Sequence, residues 1–359
     1  MRLPIYELSI TVLKAREEIR KMGLWKRTLV YSAIHFVVDF ACAFLLFRCV
    51  YGAENWILCL ITYNAVAFAG QLPLGILLDY LGKNRLFAAL GCLFIAIAGV
   101  INFDAVILSA VLGLGNAMFH IGGGRDVLIA SEGRDFPLGI FVSPGALGLF
   151  FGTAAGKAES LSLLFPLVLL LLSVAAVFLF VPDSRRHSIC ADPDRQYSSR
   201  GRGFAFAAVL SLTVVVILRS YLGMSLSFPW KGQELPGLLL VLAVFLGKAL
   251  GGFFADRLGE RLVGVISLVL SGILALAGGT PFFGISSMLL FNMTMPITLG
   301  AMGRTLKGRP GLAFGLLTFG LFLGFIPIIL GAPVFSFFLG CVASAALLNF
   351  ALGGNWRGD

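Results

Sequence analysis

Apolar residues fall along this chain in long runs, separated by short joints that carry charge, glycine or proline. A helix needs about 20 predominantly apolar residues to cross a bilayer. Twelve such runs can be placed: 28–50, 55–78, 85–102, 105–129, 136–156, 161–182, 204–227, 236–255, 262–279, 281–303, 310–330 and 332–352. The joint between the last two rests on Gly331 and Pro333. The pattern predicts an all-α membrane protein of twelve transmembrane helices.

Composition agrees, since 58% of residues are hydrophobic and 13% charged, with a mean hydropathy of +0.96. Such a chain does not dissolve on its own. The charges test the threading independently, because loops retained on the cytoplasmic side are rich in Lys and Arg. With both termini inside, three of the 27 basic residues (Arg48, Lys157, Lys231) face outward. Three more (Arg125, Arg219, Lys248) lie within spans, and the other 21 are cytoplasmic. A missed helix early in the chain would invert every later loop and erase this asymmetry. The prediction is a multi-pass inner-membrane protein with both termini in the cytoplasm. Its net charge of +9 then reflects topology, and no nucleic-acid partner is expected.

Residues 1–27 mix apolar positions with a crowd of charges from Lys14 to Arg27, and read as a helix lying on the inner membrane surface. The apolar stretch comes first and is short, so no cleaved signal is expected. Residues 183–203 are the one long polar stretch between spans and read as a cytoplasmic linker. The expected organisation is therefore a bundle of six helices at 28–182, the linker, a second bundle at 204–352 and a tail at 353–359. Six scattered cysteines (Cys42, Cys49, Cys59, Cys92, Cys190, Cys341), without a CxxC pair, read as small buried hydrophobes. Neither a disulfide nor a metal site is expected.

Two loops repeat across the chain. One contains Gly75, Asp79, Gly82, Lys83 and Arg85, the other Gly252, Asp256, Arg257, Gly259 and Arg261. Both read G-x-x-x-D-x-x-G with basic residues around or after them, and they stand half a chain apart. Such a period implies two homologous membrane halves, hence two pseudo-symmetric six-helix bundles. Glycines allow close helix contact, and the aspartates can cap a helix or pair with a cation across the halves.

With twelve spans and a central linker, these loops resemble the major facilitator superfamily over nearly the whole chain. The resemblance implies a transporter fold with the motif loops acting as a cytoplasmic gate between helices 2 and 3 and again between 8 and 9. The first copy has Tyr80 where that family usually has a basic residue. A narrower resemblance links His35 and Asp39, the stretch Asn116 to His120, and Arg219–Ser220 to fosmidomycin-resistance-type transporters. There, proline usually follows the Phe-His pair, whereas Ile121 stands here. The stretch Gly139 to Gly148, with Ser143, Pro144 and Gly145, partly fits an antiporter motif in the fifth helix. Small-residue packing with a proline kink is the equal reading.

An ionisable group at mid-membrane costs about 2.5–3.5 kcal/mol by insertion scales, and normally faces a cavity or a partner. His35 and Asp39 are four residues apart and share a helix face. Asp39 sits roughly 17 Å from the inner end of its helix, and His120 roughly 16 Å from the inner end of helix 4. These three are the candidate proton-coupling residues. Arg219, Arg125, His120, Asn116 and Tyr221 are the substrate-binding candidates, Arg125 serving either an anionic ligand or the gate. Asp126 follows Arg125 but points about 100° away, and Lys248 reads as a structural or gating cation. Cations outnumber carboxylates here, which favours a substrate with negative charge.

The expected function is proton-coupled secondary transport of a small organic solute, anions included, by alternating access. Export by H⁺ antiport is preferred over uptake by H⁺ symport, with a sensor or scaffold on the same fold as a third reading. No phosphate loop, metal cluster or nucleophile–base pair stands out, so neither an enzyme nor a cofactor is expected. The partners expected are the solute, protons and the lipid bilayer, with the chain acting as a monomer.

Overall fold

A computed structural model of the chain describes residues 5–159, 161–182, 199–333 and 335–353. Twelve helical rods appear among them. They are α1 (Ile5–Leu45, ending in a π-helical turn, Leu46–Val50), α2 (Trp56–Leu81, with a π-helical turn at Ala65–Ala69), α3 (Asn84–Ala98), α4 (Ala105–Ser131), α5 (Phe136–Ala158), α6 (Leu164–Phe180), α7 (Ser199–Ser225), α8 (Glu234–Leu258), α9 (Glu260–Leu276), α10 (Pro281–Thr305), α11 (Pro310–Ile329) and α12 (Phe337–Leu352). Each overlaps one run read from the sequence.

Eight of the rods are long and apolar enough to span a membrane on those grounds alone. The four shorter ones, of 15, 17, 17 and 16 residues, are α3, α6, α9 and α12. A short helix in every third place marks a three-helix unit repeated four times, the construction of nested repeats in transporters. Packing obeys the same repeat. The pairs α1–α5, α3–α4, α1–α6 and α3–α6 in the first half recur as α7–α11, α9–α10, α7–α12 and α9–α12 in the second. Between halves the principal contacts are α2 on α11 and α8 on α5, again a matched pair.

Glycine permits the closest of these contacts. On α5, a Cβ at Gly148, Gly152 or Gly156 would run into the Phe36, Phe40 or Phe44 carbonyl of α1, so the backbones touch along three turns. Leucines such as Leu171, Leu172 and Leu179 on α6 are exposed on the outside of the bundle, where hydrocarbon would cover them.

Residues 5–27 are not set off from the first span. From Ile5 the helix is continuous with it, since the one glycine in this region, Gly23, is tolerated inside a helix. Trp25 packs edge-on against Phe136 at 5.4 Å, and Arg27 donates to the Pro182 carbonyl. Most of the expected linker, residues 183–198 with Cys190, lies outside the described residues, as do residues 354–359 of the tail. The other five cysteines are free, and only Cys49 is exposed.

Candidate functional site

A break in α5 organises the centre of the molecule. Pro144 has no N–H to give the Ile140 carbonyl, and the Ala146 amide turns instead to Ser143 O at 3.3 Å. The helix is interrupted at Ser143, and side chains answer three successive carbonyls. Ser32 Oγ reaches Ile140 O at 3.0 Å, its one hydrogen shared with Thr28 O at 2.7 Å, while His35 Nδ1 donates to Phe141 O (2.8 Å) and Lys248 Nζ to Val142 O (3.2 Å). Two of these side chains come from α1 and the third from α8, in the other half.

His35 leads into a polar cluster. Its Nε2 lies 2.9 Å from His120 Nε2 and 3.2 Å from Asp39 Oδ2. Asp39 Oδ1 stands 3.6 Å from His120 Nε2 and accepts from Asn116 Nδ2 at 3.1 Å. His120 Nδ1 bonds the Asn116 carbonyl at 2.9 Å. A Cβ at Gly145 would collide with both Asp39 Oδ2 and His35 Nε2, so α5 approaches the cluster as bare backbone. The Asp39 side chain is 21% exposed and that of His120 13%, against 7% for His35. The donor atoms of His35, Asp39 and His120 all lie within 4.8 Å of one another, a trio close enough to hold a cation, which spacing in the sequence did not suggest.

The second half contributes the cations. Arg219, on α7, lines a cavity with Val142, Thr298, Phe314 and Thr318, leaving about 40 Å³ for the centres of water-sized molecules. Its Nη1 is buried without a hydrogen-bond partner, and no carboxylate among the described residues pairs with it. Lys248 is within electrostatic reach of both Arg219 and Asp39. It therefore faces the centre and the α5 break rather than Asp256. Tyr221 does not join this group. Its hydroxyl donates to Pro333 O (2.6 Å) and accepts from Phe335 N (3.1 Å), tying α7 to the α11–α12 connection.

At one end of the bundle the motif aspartates clamp the halves together. Asp79 accepts from the Gly311 and Leu312 amides (2.8 and 2.9 Å), the exposed N–H groups of the first turn of α11. Asp256 accepts from Asp135 and Phe136 (2.7 and 3.0 Å) at the start of α5. Each carboxylate thus caps a helix of the opposite half. A Cβ on Gly75 would strike Gly311 O, and one on Gly252 would strike Asp135 O, so backbone meets backbone beside both caps.

Arg125 belongs to this clamp. It is buried, with Nε 2.8 Å from Asp79 Oδ1 and Nη1 2.7 Å from Asn84 Oδ1. Asp126 turns the other way, to Arg27 (2.9 Å) and Asn84 Nδ2 (3.0 Å). The remaining basic motif residues act within their own halves. Arg85 donates to Phe178 O and Arg261 to Asn349, Arg257 lies over the Phe253 ring, and Lys83 is exposed. Gly82 and Gly259 hold φ of +65° and +96°, which favours glycine at both turns.

Sequence reasoning missed Asn84, Asp135, Glu260, Arg304 and Ser32. Arg304, on α10, reaches Gly133 O (2.8 Å), Asp135 (3.4 Å) and Glu260. One signal was available, because Asn84 and Glu260 sit at the motif turns. Asp135 lies in a short ordinary loop and Arg304 in the last turn of α10, and neither gave one.

No family model and no curated protein matches this sequence. Solved structures do match it in shape. FucP, a major facilitator superfamily transporter in its outward conformation, aligns over 95% of this chain and 98% of its own, with a TM-score of 0.59 at 13% identity. The human organic anion transporter MFSD10 (TETRAN) aligns over 91% and 98%, with a TM-score of 0.62 at 16% identity. A second structure of the E. coli fucose:proton symporter gives 92% and 98%, 0.58 and 14%. The chain has the major facilitator superfamily fold. These likenesses do not reach the narrower fosmidomycin-resistance-type resemblance.

The clamp generates two predictions. Asp79→Asn leaves Arg125 buried opposite a neutral group, at a cost of about 3–5 kcal/mol, and should open the clamped end. A cysteine at Leu312 should then react faster with an impermeant thiol reagent from that side; an unchanged rate would mean that packing alone holds the clamp.

The second concerns pH. Burial pushes the Asp135 carboxyl well above the usual carboxylate range, with Glu260 and Asp256 adding to the rise and Arg304 opposing it. The closed clamp therefore favours the protonated acid. Its stability is complete below the ordinary carboxylate range and declines as pH rises toward the elevated value. Spin labels on the clamped ends of α5 and α8 should move apart with rising pH in the wild type and show no such slope in Asp135→Asn. The same slope in both proteins would rule Asp135 out.

Proposed function

We propose that this chain is a proton-coupled secondary transporter of a small organic anion, working by alternating access between residues 28–182 and 204–352. The observation that carries the reading is Arg219. A guanidinium buried among apolar side chains, with no carboxylate partner among the described residues and one nitrogen unbonded, needs an anion. Lys248 supplies a second cation within reach, and two cations suit a carboxylate, phosphonate or phosphate group.

Asp39, His35 and His120 are the proton-coupling residues in this reading, and Asn116 positions Asp39. Arg125, Asp79 and Asp256 form the gate, which the positive-inside rule places at the cytoplasmic face of the inner membrane. With that end clamped, the cavity faces outward, in keeping with the outward conformation of FucP. Residues 1–27, the 183–203 linker and the tail remain cytoplasmic, and the chain acts as a monomer. That two structural neighbours are a fucose:proton symporter and an organic anion transporter supports the class of function.

Electrostatics favours carrying the anion and the proton together. Lys248 bridges the two sites, within reach of Asp39 and His120 on one side and Arg219 on the other. An anion that engages Lys248 offsets that cation's charge beside the cluster of His35, Asp39 and His120, which favours a proton bound there at the same time. The partial antiporter motif supports the reverse coupling, because its Gly145 packs directly on Asp39 and His35. Proteoliposomes with imposed pH gradients decide between them, using anions selected by the melting shift they cause. Symport predicts accumulation when the interior is alkaline, and accumulation only with an acid interior would establish antiport. Asp39→Asn should abolish gradient-driven accumulation while retaining binding; unchanged accumulation would remove Asp39 from coupling.

Arg219→Ala should weaken anion binding about tenfold or more, from a charged hydrogen bond of about 1.5–3 kcal/mol. Unchanged affinity with a lowered melting temperature would make Arg219 structural.

A further inference from the structure

Backbone carbonyls fix the tautomers of both central histidines. A carbonyl oxygen only accepts, so His35 Nδ1, bonded to Phe141 O, and His120 Nδ1, bonded to Asn116 O, each carry a hydrogen. In neutral rings both Nε2 atoms would then present bare lone pairs. Those two atoms face each other at 2.9 Å, with the rings nearly perpendicular at 88° and their centroids 4.4 Å apart. Two acceptors do not approach to hydrogen-bond distance unless a cation lies between them.

We infer that His35 and His120 hold a single proton between their Nε2 atoms, with Asp39 as counter-ion, and that this shared proton is the one moved in the transport cycle. The last clause rests on the proton-coupled reading above; the site itself does not.

Asp39 fits the role of counter-ion to a pair. Its oxygens stand 3.2 Å from one Nε2 and 3.6 Å from the other, while Asn116 anchors Oδ1. It favours the charge on the pair without drawing the proton to one ring. Neighbouring helices surround the pair with few other charges. Lys248 comes from α8 with Arg219 behind it on α7; Tyr63 from α2 and Cys42 from α1 lie beside Asp39; α5 presents only the Phe141 carbonyl and Gly145. Exchange with the cavity runs through His120 and Asp39, the more exposed members. Loss of the proton would turn two lone pairs against each other and drive the rings apart. The strain then passes through His35 to Phe141, at the break in α5.

A divalent metal is the rival occupant. Tetrahedral metal bonds of about 2.0–2.1 Å set donor atoms about 3.3 Å apart. The nitrogens here are closer, at the spacing of a hydrogen bond. One carboxylate beside Lys248 and Arg219 also offers poor compensation for a double charge.

The test needs no substrate. The chain has three histidines, so His187→Gln leaves only the pair visible in ¹⁵N-histidine NMR of the protein in lipid nanodiscs. The expected spectrum shows protonated Nδ1 in both rings and Nε2 signals that change together at one midpoint, with one proton released per protein. In His120→Gln, His35 should revert to a single neutral ring, and in Asp39→Asn the shared midpoint should fall. Independent titration of the two rings in the unsubstituted pair overturns the inference, as does a neutral ring protonated at Nε2. One equivalent of metal retained through purification and removed only by a chelator overturns it too. A shared proton together with gradient-independent transport would leave the site standing and remove the coupling reading. Gradient-driven transport with independently titrating rings would do the reverse.

Discussion

The backbone cannot hide an unsatisfied carbonyl inside a membrane protein, where each costs several kcal/mol, and Pro144 exposes this problem at the centre of the bundle. Three consecutive carbonyls of α5 lose their helical partners. Ser32, His35 and Lys248 replace them, so one missing N–H fixes where a hydroxyl, an imidazole and an ammonium group must stand. The positions of Asp39 and His120 follow from that of His35, and the reach of Lys248 toward Arg219 follows from its hold on Val142. The break also joins the halves, since His35 belongs to one and Lys248 to the other.

The rest of the architecture leaves this centre free to work. The glycine faces of α5 press it against α1 with no side chain between the backbones, which is why a cluster of two rings and a carboxylate fits beside Gly145. The matching contact of α11 on α7 is built the same way, with a Cβ at Gly324 meeting the Ile217 carbonyl. Yet the second half has no histidine pair at the equivalent place. The duplicated scaffold has diverged in chemistry, with the two histidines and Asp39 at the centre of one half and Arg219 and Lys248 at the centre of the other.

Sequence alone made the scaffold legible, for physical reasons. Membrane crossing demands about 20 apolar residues, and the charge asymmetry checks the count, so the helices could be placed within a few residues except at the start of α1, which begins at Ile5. The i, i+4 pairing of His35 with Asp39 was legible too, because helix geometry dictates it. Contacts between helices were not. That Arg125 turns to Asp79 while Asp126 turns to Arg27, or that Tyr221 leaves the cavity for Pro333, depends on which face each helix presents, and apolar helices with polar residues on several sides leave that open. Asp135 and Arg304 were invisible because a short polar loop and a basic residue in a helix's last turn look ordinary until the fold sets them against Glu260. Pro144 was read as a kink, but its consequence lay in the carbonyls it freed, and their partners stand more than 100 residues away.

The clamp sets what parting the two halves would require. Asp79 and Asp256 together accept four backbone N–H groups, and charged hydrogen bonds of this kind contribute about 1.5–3 kcal/mol each. Reversing an equilibrium from 1:99 to 99:1 takes about 5.5 kcal/mol of differential binding, so the clamp could oppose opening by as much as a ligand must supply. Opening nevertheless exposes both carboxylates and the helix ends to water, which recovers most of that loss. Arg125 differs, being buried behind the caps and bonded to Asp79 and Asn84 at once. All three residues belong to the first half, so parting the halves leaves these bonds in place while Asp79 releases the Gly311 and Leu312 amides. The hold between the halves at this end therefore resides in the four cap bonds, and Arg125 serves them by keeping the Asp79 carboxylate aimed at the first turn of α11.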